Sequence, residues 1–159
     1  MASIDVSTQL PCSPSRVQAL LLNEDFLGAF MDEQHPTRRD ITTDASAQTS
    51  QATWTVGLPA DVPGIVKKLV GSEVTLDLWI HAKDQGSFNI DARGKQTGEV
   101  LATLTMQERN QGTYLRIHGD VGVKAGLLSS QAARLARDQV IKPILQEDLF
   151  RLLGEWCSR

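Results

Sequence analysis

Val74-Thr75-Leu76-Asp77-Leu78-Trp79-Ile80-His81 is the stretch that decides the fold. Val74, Leu76, Leu78 and Ile80 share one parity, and Thr75, Asp77, Trp79 and His81 share the other. Successive side chains of a strand point to opposite faces, so this is a strand with one dry and one wet side. The same alternation recurs around it. Upstream, Ala52, Trp54, Val56 and Leu58 alternate with Thr53 and Thr55. Downstream, Phe88, Ile90 and Ala92 alternate with Asn89, Asp91 and Arg93, and Val100, Ala102, Leu104 and Met106 with Leu101, Thr103 and Thr105. Leu115, Ile117, Val121 and Val123 then alternate with Arg116, His118 and Asp120. Lys83-Asp84-Gln85-Gly86 and Asn110-Gln111-Gly112 are turn sequences between such runs. Half-dry strands joined by short turns make an antiparallel sheet. Residues 37–44 add a weakly patterned strand around Ile41.

The two ends of the chain supply the rest. Ile4, Val6 and Leu10 share the parity of a first strand. Ser13-Pro14 then reads as a helix N-cap followed by proline at the first helical position, and Val17, Leu20 and Leu21 give that helix one apolar stripe. Asn23 caps a second short helix with Glu24 and Asp25 in its first turn, where the helix dipole favours acids. The last third is helical. Ser129 or Ser130 can cap it, and Val140, Ile141, Ile144, Leu145, Leu149 and Leu152 lie in a broad apolar stripe. Arg134–Asp138 and Arg151–Glu155 stand at i,i+4 spacing on its other side. Pro143 should kink this helix, because it removes a backbone donor and crowds the preceding turn.

A half-dry sheet needs a second layer, and only the long helix is large enough to supply one. The expected fold is therefore α+β: a curved antiparallel sheet of about six to seven strands gripping a long C-terminal helix, with two short helices after the first strand. At 159 residues, one domain spanning 1–159 is the natural reading.

One segment breaks the strand rhythm. Between Pro59 and Gly71, Val62, Ile65, Val66 and Leu69 recur at helical spacing, with Lys67 and Lys68 between them. A helix this short is marginal alone, so its apolar face must dock, either as a lid over the space between sheet and helix or as a static plug. The two lysines could meet an anionic membrane surface or a ligand head group.

Composition excludes several functions. Hydrophobic residues make up 41% and charged residues 22%, and the formal net charge is −3. That sign argues against nucleic acid, whose phosphates need a basic face. No apolar run approaches the about 20 residues that cross a bilayer. Met1 to Leu10 has neither the basic nor the apolar region of a secretory signal. With only Cys12 and Cys157, the expectation is a cytoplasmic protein with free thiols, even where the fold brings the two cysteines close. His35, His81 and His118 lack metal-ligand spacing, so no metal and no cofactor is expected. There is no Gly-x-Ser-x-Gly and no phosphate-cradling loop.

Taken together, Ser13-Pro14-Ser15-Arg16-Val17, Asn23-Glu24-Asp25-Phe26, Leu58-Pro59-Ala60, Ile65 to Gly71 and Gly119-Asp120-Val121-Gly122-Val123 resemble the START-like superfamily, also called helix-grip or SRPBCC. Within it the chain resembles a bacterial family of unknown function. The resemblance implies an internal cavity for apolar molecules between sheet and helix. Relatives of that superfamily include lipid carriers, hormone receptors, polyketide cyclases and co-chaperones, and fold alone does not choose among them.

Parity then weighs the chemistry. Asp77, His81, Asp91, Arg93, Arg116, His118 and Asp120 all take the parity opposite the apolar set, so they lie outside a cavity lined by that set. No catalytic residue is named for this reason, and the leaning is away from an enzyme. Arg39 shares parity with Ile41 and is the candidate inward polar anchor. The leading reading is a carrier or sensor, monomeric or weakly dimeric, for a small apolar or lipid-like molecule. Its contacts would be Trp54, Val56, Leu76, Leu78, Ile80, Phe88, Ile90, Leu104, Ile117, Leu145 and Leu149. The alternatives are a cyclase- or hydrolase-type enzyme and a protein-interaction module using Trp79 and Leu101 on the outer sheet face.

Overall fold

The computed structural model describes residues 1–57, 64, 67, 68, 71–84, 86–94 and 98–159. The chain runs β1 (Ala2–Leu10), α1 (Pro14–Leu21), α2 (Glu24–Asp32), β2 (Arg38–Asp44), β3 (Thr49–Gly57), β4 (Glu73–Asp84), β5 (Ser87–Gly94), β6 (Gly98–Arg109) and β7 (Gly112–Val123). A 3-10 turn, Gly126–Leu128, leads into a helix from Ser129 to Trp156. The strands form one open antiparallel sheet in the order β1-β7-β6-β5-β4-β3-β2. The fold class read from the sequence holds: an antiparallel sheet, two short helices after the first strand, and a long C-terminal helix.

Local chemistry accounts for the joints. The Ser13 hydroxyl accepts from the Arg16 N–H at 3.3 Å and Pro14 opens α1. The Asn23 side chain accepts from the Phe26 N–H at 2.9 Å and starts α2. Val17, Leu20, Leu21, Phe26, Leu27 and Met31 are thereby buried against the sheet. Asn110 and Gln111 both take positive φ, 53° and 63°, the pair of left-handed residues that lets a two-residue hairpin follow the twist of its strands. Gly71, at φ 82°, donates its N–H to the Lys67 carbonyl at 2.8 Å, the geometry of a glycine that ends a helix. The candidate lid residues Val62, Ile65, Val66 and Leu69 lie outside the described residues.

The C-terminal helix departs from regularity where Pro143 stands. Helical turns at Ser129–Ala136 and Phe150–Trp156 flank two π-helical segments, Arg137–Ile141 and Ile144–Leu149. A wider turn relieves the missing donor and the crowding that proline imposes on the turn before it. One expected ion pair is corrected here. Asp138 bonds its neighbour Arg137 at 2.8 Å and approaches Lys142, one turn on, at 3.9 Å instead of meeting Arg134. Arg151–Glu155, in the regular turn beyond, forms as expected at 2.9 Å.

The cysteines require a second correction. Cys12 and Cys157 are joined as a disulfide, with Cα atoms 5.3 Å apart. The expectation of free thiols rested on compartment, whereas the fold carries the end of the long helix onto the start of α1. Arg16 donates to the carbonyls of Trp156 and Arg159 at 3.3 and 3.1 Å. Trp156 meets the Phe26 ring edge-on at 5.5 Å.

Candidate functional site: an apolar cavity between sheet and helix

Between the sheet and the C-terminal helix lies a cavity of about 180 Å³ whose wall is almost entirely carbon. Sheet register explains why space remains there. On β4, Leu78 stands between Ala52 of β3 and Ala92 of β5. On β5, Ile90 faces Ala102 of β6. Leu76 faces Gly94, which faces Gly98 in turn. Leu76, Leu78 and Ile90 thus each have an alanine or glycine beside them, and the floor stays low along β5 and β6. The roof comes from the irregular part of the helix, where Val140, Ile141, Ile144 and Leu145 point into the space. Leu27 and Phe30 of α2, with Trp54 of β3, close the inner end. Phe30 and Trp54 meet edge to face at 6.5 Å.

Eight of the eleven residues expected to line the cavity stand on its wall: Trp54, Leu76, Leu78, Ile80, Ile90, Ile117, Leu145 and Leu149. Phe88 and Leu104 are instead cross-strand partners, 1% and 0% exposed, packed into solid core. Val56 is half-buried against that core. Alternation identifies the inward face but not which inward residues leave space. The missed signal was alanine at the inward positions 92 and 102, between larger neighbours. Arg39 does not reach the cavity. It pairs with Asp32 at 3.3 Å, is 41% exposed, and lies in a polar cleft between α2 and β2 with Glu24, Asp25 and Asp40.

Three polar side chains of the inward layer, Trp54, Gln34 and Ser50, make hydrogen bonds within the protein. The Trp54 indole N–H donates to Gln34 Oε1 at 2.9 Å, and Gln34 Nε2 donates to the Phe30 carbonyl at 3.2 Å. The buried Ser50 hydroxyl donates to the Leu21 carbonyl at 3.0 Å. Behind Gln34, burial holds the Asp148 carboxyl above the usual range, helped by the nearby Glu33 carboxylate and opposed by Arg151. Among the described residues no group of histidine, cysteine and carboxylate side chains is placed to hold a metal ion. None of their helices is long and apolar enough to cross a membrane.

On the outer face, Arg116 binds Asp5 through two hydrogen bonds of 2.9 and 2.6 Å, and this pairing holds the Asp5 carboxyl below its ordinary value. Trp79 and Leu101 are exposed there, but the register sets Asp91 between them.

Residues 5–152 match a family known only as protein of unknown function, DUF2505. The chain belongs to the DUF2505 family. No curated protein matches this DUF2505 chain in sequence. Solved structures do match its fold. An aromatase/cyclase, Zhui from Streptomyces sp. R1128, superposes with a TM-score of 0.67 at 13% identity, covering 99% of this chain and 94% of that one. A START superfamily protein from Mycobacterium smegmatis gives 0.62 at 12% identity, over 98% and 97%. A protein from Thermus thermophilus gives 0.63 at 12%, over 99% and 97%. At these identities the likeness establishes the START-like fold for this DUF2505 protein and nothing finer.

Proposed function

We propose that this protein binds a small apolar molecule in the cavity between sheet and helix, as a carrier or sensor and not as a catalyst. The observation that carries this reading is the wall itself: a partly open space lined by aliphatic and aromatic carbon, as ligand pockets mostly are. Acid–base catalysis needs a titratable group within hydrogen-bond reach of the substrate. Among the described residues the one ionisable residue on the wall is Glu99. It is 39% exposed, sits 3.9 Å from Arg93, and has the parity of the outer face.

The cyclase alternative draws support from the likeness to an aromatase/cyclase, but the one ionisable residue on the described wall, Glu99, has outer-face parity and stands beside Arg93. The protein-interaction alternative loses its patch to Asp91. Native mass spectrometry of protein purified under mild conditions tests the reading. Retained mass of a small molecule, lost on Leu78→Trp in a protein that stays folded, is the expected result. A bare protein that takes up no apolar probe in any form refutes it.

A further inference from the structure

Resting on that reading, we propose that the cavity selects compact, neutral, single-ring apolar molecules and excludes charged groups, fused multi-ring systems and two-chain lipids. Size is the first argument. A dry cavity of about 150 Å³ lined by Leu, Ile and Phe holds one benzene. The 180 Å³ here, in a partly open space, therefore buries one ring with a short substituent, about seven to nine non-hydrogen atoms.

Polarity is the second argument. A ligand's buried polar group needs a partner. Among the described residues the wall offers one ionisable side chain, Glu99, which has outer-face parity and stands 3.9 Å from Arg93. Neither Gln34 nor Ser50 stands on the wall, and their N–H and O–H donors are engaged elsewhere. The Trp54 N–H is held by Gln34, the Gln34 amide by the Phe30 carbonyl, and the Ser50 hydroxyl by Leu21. A hydroxyl carried into the inner end goes unpaired, which costs about ten- to a hundredfold in affinity. A charge costs more.

Shape is the third argument. Phe30 and Trp54 meet edge to face at the inner end, and flat rings pack against such pairs in offset or edge-on contacts. Ala92 and Ala102 keep the floor beneath low enough for a ring.

The test is a series of probes titrated into the full chain and followed by the NMR shifts of its leucine, isoleucine and valine methyls. The probes are ethylbenzene, phenol, benzylammonium, pyrene and a long-chain fatty alcohol. The proposal expects saturable shifts at Leu78, Ile90 and Leu145 with ethylbenzene. It expects binding about tenfold weaker or worse with phenol, and none with benzylammonium or pyrene. Ala92→Leu, checked for a folded spectrum, should lose ethylbenzene. If pyrene or the fatty alcohol binds as tightly as ethylbenzene, the size limit is wrong while cavity binding stands. If benzylammonium matches ethylbenzene, the exclusion of charge is wrong. If no probe moves these methyls, the cavity-binding reading itself fails.

Discussion

Replacing Ala92 by leucine puts a number on the void. Ala92 lies on the cavity floor between Leu78 and Val100, on the inward parity of β5. Leucine adds three carbons to a space of about 180 Å³, so it enters the cavity without displacing a neighbour. Each buried methyl or methylene contributes about 0.8 kcal/mol, or about 2.4 kcal/mol for three. Fixing the leucine rotamer costs about 0.5–1 kcal/mol of that. A net stabilisation of about 1.5–2 kcal/mol follows. It is well inside the roughly 4 kcal/mol that an unfilled cavity of this volume costs at about 24 cal/mol per Å³. For a chain of this size each kcal/mol moves the midpoint by about 2–4 °C, so Tm should rise by about 3–8 °C. Thermal unfolding followed by circular dichroism, beside probe titration, gives both readouts. In a solid core the same substitution overpacks and costs about 1–3 kcal/mol. A fall in Tm by several degrees would therefore refute the reasoning.

Three further outcomes follow from the same geometry. Cys12 and Cys157 close a loop with a sequence separation of 145, for which chain entropy gives about 5 kcal/mol, so reduction should lower Tm measurably; thiol titration of denatured, unreduced protein should find no free thiol. Gln34→Leu leaves the indole N–H of Trp54, itself 4% exposed, without an acceptor and should cost about 1–3 kcal/mol by denaturant titration. Burial and Glu33 raise the Asp148 carboxyl above its ordinary value of 3.8, so its stabilising contribution is complete below that pH and is lost as pH rises. Asp148→Asn should accordingly raise Tm at pH 7 relative to the parent chain, with the gain disappearing near pH 3.

Much of the fold was legible because one face of each strand had to be dry. The parity of Val74 to Ile80 fixed which side of β4 faced the helix. Ser13-Pro14 and Asn23 marked both short helices by the hydrogen bonds their side chains make. What escaped the sequence was three-dimensional adjacency. Phe88 and Leu104 carry the same signal as Leu78 and Ile90, yet their mutual register puts them in core, while the alanines beside Leu78 leave a hollow. The Pro143 disturbance was foreseeable, but a local pattern does not say whether a kink or wider turns will absorb it, and here two π-helical segments do. Arg39 had the inward parity, but β2 is the edge strand, so the same parity faces α2 and Asp32 instead of the cavity. The disulfide depends on where the long helix ends in space, which no local pattern carries.

A crystal of the protein pressurised with xenon measures the central claim most directly, because xenon enters dry apolar cavities and has no use for polar groups. The account predicts xenon density between Leu78 of β4 and Leu145 of the helix, with the surrounding side chains unmoved. Side chains filling that space, or ordered water hydrogen-bonded within it in place of xenon, would contradict the account.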